Sequence, residues 1–271
     1  FDIDLTSPRV MGIVNVTPDS FSDGGQHAST AAALRHCEQL LKEGAHMLDI
    51  GGESTRPGSP AVPLDEELAR VLPVVRAAVR LGVPISVDTY KPEVMRAVLD
   101  AGADIVNDIW ALRRGDALQA VAAHPRCGVC LMHMHRDPQT MQVAPMEGDV
   151  LPEVLDFLAR QAGALVSKGV ERERIVLDPG IGFGKTVAQN LSLLARQAEL
   201  LPLGFALLAG WSRKSTLGQI TPQRDIREGT TQRQHPRLRI RGRNEQPGIA
   251  HHLGQRGSIR THHRRAARQR L

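Results

Sequence analysis

With 271 residues the chain is long enough for one barrel-sized domain or two smaller ones, and its apolar runs fall well short of the roughly 20 residues that span a bilayer. Three cysteines, Cys37, Cys127 and Cys130, are too few and odd in number for a disulfide scaffold, so free thiols and a cytoplasmic setting are expected. The net charge of +5 does not mark a nucleic-acid-binding body: segment 221–271, with 13 Arg, no Lys and 3 acidic residues, carries +10 and leaves residues 1–220 at −5.

Taken in chain order, short apolar runs at 10–14, 47–50, 85–87, 105–106, 129–132, 175–177 and 206–209 read as strands. Between them lie segments with apolar residues three and four apart, such as Ala31, Leu34, Leu40 and Leu41, or Val150, Val154, Leu155 and Leu158, as amphipathic helices require. Seven such units predict parallel strands joined by right-handed crossovers, with continuous apolar strands buried on both faces. An open doubly wound sheet and a closed barrel both fit that rhythm. The polar residues separate them, because nearly every strand ends in a polar signature: Asn15, Gly51-Gly52-Glu53, Asp88, Asn107-Asp108, His133, Asp178 and residues 212–215. An open sheet gathers its site at one switch point, whereas a barrel draws on all its strand ends at one mouth. The expectation is a single-domain α/β fold, a (β/α)8 TIM barrel, with its body over residues 1–220 and an atypical Arg/His-rich segment, 221–271, left to complete it.

Asp88 in SVDT, Asn107 in IVNDI and Asp178 in LDPG end three different strands. A carboxylate in that position must be paired or hydrogen-bonded, and Lys91-Pro92 opens the next helix too late for Asp88 to cap it. Two carboxylates and an amide facing one pocket suit a flat heterocycle with adjacent N–H and amino donors, a guanine-like or pterin-like ring. In GGESTRPGS, Thr55 and Arg56 are candidates for holding an anion; in GWSRKSTLG, Ser212, Lys214 and Ser215 follow the seventh strand, where a barrel commonly places phosphate-binding groups. The stretch DPGIGFGKT resembles a phosphate-binding P-loop but has Pro179 where that motif needs glycine, so a tight glycine-lined turn over a flat ring is expected instead. Cys130 and His133 differ by three along one strand and so face opposite sides, which argues against a zinc cluster.

Read together and in order, MGIVNVTPDSFSDGG, LDIGGESTRPGS, SVDT, IVNDI, LMHM, LDPGIGFGK and GWSRKS closely resemble the dihydropteroate synthase family over about residues 8–218. The resemblance implies a (β/α)8 barrel, a homodimer, and the joining of p-aminobenzoate to a dihydropterin pyrophosphate with release of pyrophosphate, a reaction that sulfonamides block by competing with the aminobenzoate. It implies small-molecule substrates, with neither nucleic acid nor membrane as partner. Carried over, it sets the pterin ring against Asp88, Asn107, Asp178 and the catalytic Lys214, with Phe183 and Met132 lining the pocket. Asn15 falls beside the pyrophosphate and its Mg²⁺, with Thr55 and Arg56 near the same end. Asp19, Phe21, Pro57 and Ser215 fall at the aminobenzoate site. A folate-binding methyltransferase barrel, with a similar pterin pocket, and a nucleic-acid-binding protein using the basic tail are the alternatives; the first loop and the SRKS segment favour the synthase.

Beyond residue 220 the resemblance fails. The family's Ala-rich helix and closing Arg-Val-His-Asp strand are absent, and the loss of apolar period with an excess of Arg, Gln and His fits either a shifted reading frame or an erroneous sequence. IRTHH retains Arg260 and His262 at the spacing of the family's anion-binding pair, with His263 where the family has Asp.

Overall fold

A computed structural model of the chain describes residues 1–17, 25–55, 58–212 and 214, of which 25–28 by backbone alone. Seven strands alternate with helices: β1 (Met11–Asn15), α1 (Gly25–Lys42), β2 (Met47–Gly51), α2 (Leu64–Ala78), β3 (Ile85–Asp88), α3 (Pro92–Asp100), β4 (Ile105–Asp108), α4 (Ala117–Ala123), β5 (Gly128–Met132), α5 (Leu151–Ser167), β6 (Ile175–Asp178), α6 (Val187–Ala195) and β7 (Ala206–Leu207). Every predicted strand is present. The main shift is that β1, β2, β3, β4 and β6 extend into the residues of their strand-end signatures, while β7 is shorter than expected.

All six strand pairings are parallel and the spatial order equals the chain order, β1 through β7, with no reversal. A doubly wound sheet must reverse its order at a switch point, so this sheet is the curled wall of a TIM barrel. Segment 221–271, from which the eighth strand was expected, lies outside the described residues.

Local chemistry accounts for several boundaries. Pro92 occupies the first turn of α3, where its missing N–H has no intrahelical partner to lose. Thr186 opens α6 through a reciprocal cap: its backbone N–H donates to Gln189 Oε1 at 2.8 Å and its hydroxyl accepts from Gln189 N–H at 3.3 Å. The helix-facing sides of the strands build two apolar clusters, one around Val14, Leu48, Ile50, Ile85 and Val87 against α1 and α2, the other around Val129, Leu131, Ile175 and Leu177 against α5. The expectation of strands apolar on both faces needs correction, since the inward positions carry Asp49, Ser86, Asp88, Asn107, Cys130 and Asp178. Apolar bulk on the helix side holds the barrel together, and its lumen is free to be polar.

Candidate functional site

Register sets the inward row. Asn15 pairs with Gly51, Gly51 with Asp88, Asp88 with Asn107, and Asn107 with Cys130. Cys130 pairs in turn with Val176, so Asp178, two residues further on, points to the same side one layer nearer the mouth. The stagger of a barrel thus brings side chains from several strands to one cavity at two depths. Gly51 and Gly210 leave it open: a Cβ at Gly51 would stand 3.5 Å from Asp88 Cβ, and one at Gly210 would stand 3.8 Å from Asp178 Oδ2.

The floor is a hydrogen-bonded carboxylate that the motif reading did not single out. Asp49, 4% exposed, accepts from Ser86 Oγ at 2.6 Å and from Asn107 Nδ2 at 3.1 Å. Its sequence signal was an acid in mid-strand, in MLDIG. Asn107 gives Asp49 its amide N–H and so keeps its Oδ1 turned away from Asp49. Higher in the cavity, Asp178 accepts from Gly180 N–H at 2.7 Å.

Burial dominates the electrostatics. It pushes Asp88 well above the ordinary carboxylate range, and Asp49, Asp108, Glu67 and Glu53 push it further. Burial also raises Asp178, against the Gly180 N–H and the ammonium groups of Lys214 and Lys185, which favour the charged form. Lys214 is lowered by burial and sustained by Asp178 and Asp88. A cavity whose buried carboxylates have few donors to face favours a ligand that brings N–H groups.

Lys214 does not stand apart as a phosphate-holding residue. Its ammonium lies 4.0 Å from the centroid of the Phe183 ring, and Asp178 and Asp88 are its opposite charges. Phe183 belongs to an apolar wall with Met132, Ile109, Met134 and Met141, to which Trp110 packs. The sequence reading named only Phe183 and Met132 of these; the others follow the ends of β4 and β5 in chain positions that carry no distinctive pattern.

The 179–186 segment is the expected tight turn, with Gly180, Gly182 and Gly184 all at positive φ (69°, 78° and 74°). Glu53, part of a strand-end signature, serves a different purpose: with Glu67 it binds Lys91 and it accepts from Tyr90 OH at 2.9 Å, tying the loop after β2 to α2 and to the start of α3. Cys130 lies among the inward carboxylates, whereas His133, past the end of β5, sets its ring edge-on to Phe157 of α5 at 5.0 Å. Among the described residues no group of three or more His, Cys, Asp and Glu side chains is arranged to hold a metal ion.

The structure therefore brings Asp88, Asn107, Asp178, Met132, Phe183 and Lys214 to one mouth. Asn15 stands at the rim on the end of β1, and Thr55 follows β2, part-buried. Asp19, Phe21, Arg56, Pro57, Ser215, Arg260 and His262 lie outside the described residues.

A family model described as "Pterin binding enzyme" matches residues 11–243. Dihydropteroate synthase of Escherichia coli K12 is 51% identical over 219 residues, 80% of this chain and 77% of that one. The dihydropteroate synthase of Xanthomonas albilineans with 4-aminobenzoic acid superposes at a TM-score of 0.77 and 51% identity, over 83% of this chain and 80% of that one. That of Burkholderia cenocepacia with 7,8-dihydropteroate gives 0.71 at 51% identity, over 82% and 78%.

Proposed function

The chain belongs to the dihydropteroate synthases, a family of pterin-binding enzymes, and from that premise we propose how its residues divide the work. It is a transferase of folate biosynthesis that forms a C–N bond between p-aminobenzoate and 6-hydroxymethyl-7,8-dihydropterin pyrophosphate, releasing pyrophosphate.

The observation that carries the assignment of roles is the meeting of Asp178, Asp88 and Lys214 at the mouth, with the Lys214 ammonium over the Phe183 ring. Asp88, Asn107 and Asp178 accept the N–H donors of the pterin, and each bond to a carboxylate is charge-assisted. Phe183 and Met132 cover the ring, and Lys214 donates to its polar edge while retaining charge beside the two aspartates. Breaking the exocyclic C–O bond leaves cationic carbon on the pterin while negative charge grows on the leaving pyrophosphate. A well-aimed donor to such developing charge is worth about 3 kcal/mol, roughly two orders of magnitude in rate. The aminobenzoate amine attacks the carbon directly, so no side-chain nucleophile is required.

Asn15 offers one neutral oxygen at the rim, and that donor suits a Mg²⁺ that keeps most of its waters and binds chiefly through substrate phosphates. When bound, the ion supplies positive charge to the departing pyrophosphate. Thr55 and Arg56 serve the same end of the substrate, with Arg260 and His262 as the tail's contribution. Asp19, Phe21, Pro57 and Ser215 shape the aminobenzoate site. The working form is a cytoplasmic homodimer; among the described residues no helix is long and apolar enough to cross a membrane.

Pyrophosphate release by the purified chain tests the reading. It is expected only when dihydropterin pyrophosphate, aminobenzoate and Mg²⁺ are all present, and release without aminobenzoate would replace transfer by hydrolysis.

A further inference from the structure

Lys185 has no part in the scheme above, yet it is 3% exposed. Its Nζ contacts Gly180 O at 2.9 Å, Phe183 O at 3.2 Å, His133 O at 3.4 Å and His133 Nδ1 at 2.9 Å. None of these partners is a carboxylate. Burial lowers its pKa to about 7, with Asp178 and Glu153 supporting the charge and Lys214 opposing it. Burial and the same ammonium push His133 down to about 2, so its ring is neutral and Nδ1 accepts. An apolar side chain of similar volume would fill this space without the desolvation cost of a cation. Stability alone does not account for the lysine.

What the ammonium joins is informative. Gly180 O and Phe183 O lie on the turn that carries the ring, and His133 O belongs to the facing loop after β5. The two segments are also stitched by His133 N–H to Asp178 O at 2.9 Å, His135 N–H to Phe183 O at 3.5 Å, Met146 N–H to Gly184 O at 2.9 Å and Gln142 Nε2 to Gly182 O at 2.8 Å, of which the bond to Phe183 is the longest. A turn with three glycines has wide backbone freedom, so the Phe183 ring is not placed by local preference. Ile181, 2% exposed, and the bond from Gly182 N–H to Asn190 Oδ1 at 2.9 Å hold the middle of the turn, while Lys185 is, among the described residues, the one side chain whose donor meets carbonyls at both Gly180 and Phe183 and on the facing loop.

We infer that Lys185 is a positioning residue for pterin binding: its ammonium, clasped by the carbonyls of Gly180, Phe183 and His133, fixes the glycine turn so that Phe183 presents its ring face beneath Lys214. The inference rests on the pocket assignment given under Proposed function. It makes Lys185 act through Phe183 without touching the pterin.

The test is a double-mutant cycle on the affinity for dihydropterin pyrophosphate, measured calorimetrically without aminobenzoate on the full chain, for Lys185→Met, Phe183→Leu and the double variant. Lys185→Met is expected to weaken binding on the order of tenfold or more, as small misplacements of a site do. Phe183→Leu should weaken it comparably, and the double variant should bind about as well as Phe183→Leu alone. In steady state Lys185→Met should raise the pterin KM and leave the aminobenzoate KM in place, a split that general destabilisation does not produce. If Lys185→Met does not fold, Lys185→Gln, which keeps donors for two carbonyls, enters the same cycle. Unchanged affinity in a folded Lys185 variant, or losses that multiply in the double variant, would overturn the inference while leaving the pocket assignment standing. Unchanged affinity in Phe183→Leu would overturn the pocket assignment itself.

Discussion

Replacing Asp178 by Asn separates its charge from its shape. The carboxylate accepts from Gly180 N–H at 2.7 Å, and Asn keeps an oxygen for that bond, so the turn after β6 should survive. What is lost is an anionic acceptor for the pterin and the opposite charge that supports Lys214. A hydrogen bond to a charged group contributes about 1.5–3 kcal/mol, which corresponds to roughly 10- to 150-fold in affinity. Calorimetric titration with dihydropterin pyrophosphate should therefore show Asp178→Asn binding weaker by that factor. The melting temperature should fall as well, since the buried ammonium groups of Lys214 and Lys185 lose an opposite charge, so the affinities are compared below the variant's melting temperature. The pH dependence gives a second reading. Burial raises the Asp178 pKa, so affinity of the unaltered chain should drop as pH falls through that raised value and the carboxylate takes up a proton. Asp178→Asn should lack Asp178's part of that limb. Unchanged affinity in alkaline buffer, where Asp178 is ionised, would refute the idea that its charge binds the ligand.

Three further substitutions probe the scaffold. A Cβ at Gly180 would fall 1.8 Å from His133 O, and φ there is +69°, so Gly180→Ala should cost more than the roughly 1–2 kcal/mol of a left-handed residue and lower the urea midpoint. Lys91→Met strips Glu67, 1% exposed, of its cation; urea unfolding should show a loss of about 3–5 kcal/mol, and a loss under 1 kcal/mol would mean the pair is dispensable. Burial raises Asp108 from 3.8 to about 6 in the folded chain, so the native state binds the extra proton between those values and stability falls as pH rises from about 4 to about 6. The difference corresponds to about 3 kcal/mol, and Asp108→Asn should flatten that part of the stability-versus-pH curve.

Much of the barrel was legible because its signals are local. Short apolar runs alternating with 3.6-period segments define strands and helices without reference to anything distant, and the polar residues closing each run marked the end of the sheet where the candidate site gathers. Boundaries were less legible. Asp88, Asn107, Asp108 and Asp178 read as post-strand residues, yet all four remain in the ladder because a strand ends where its neighbour's pairing ends. Thr186-Val187-Ala188-Gln189 is a capping box visible in the sequence, and it explains the threonine of the P-loop-like stretch as the start of α6.

Glu53 and Asp49 show where local reading stops. Both are acids near the end of β2, but one turns outward to Lys91 and the other inward beneath Asn107. Lys214 likewise fitted a phosphate role by its place after β7 and was found over Phe183 beside Asp178. Alternation fixes which residues share a side of a strand, whereas register between strands and the curl of the sheet fix which strands' residues meet. The sequence by itself determined the alternating elements, the family and the pool of polar strand-end residues. The tertiary structure decided that Asp49 underpins Asn107, that Lys185 is buried without a carboxylate among its partners, and that Asp178 stands a layer above Asp88. Those outcomes depend on stagger and packing between segments far apart in the chain, and no local pattern encodes them.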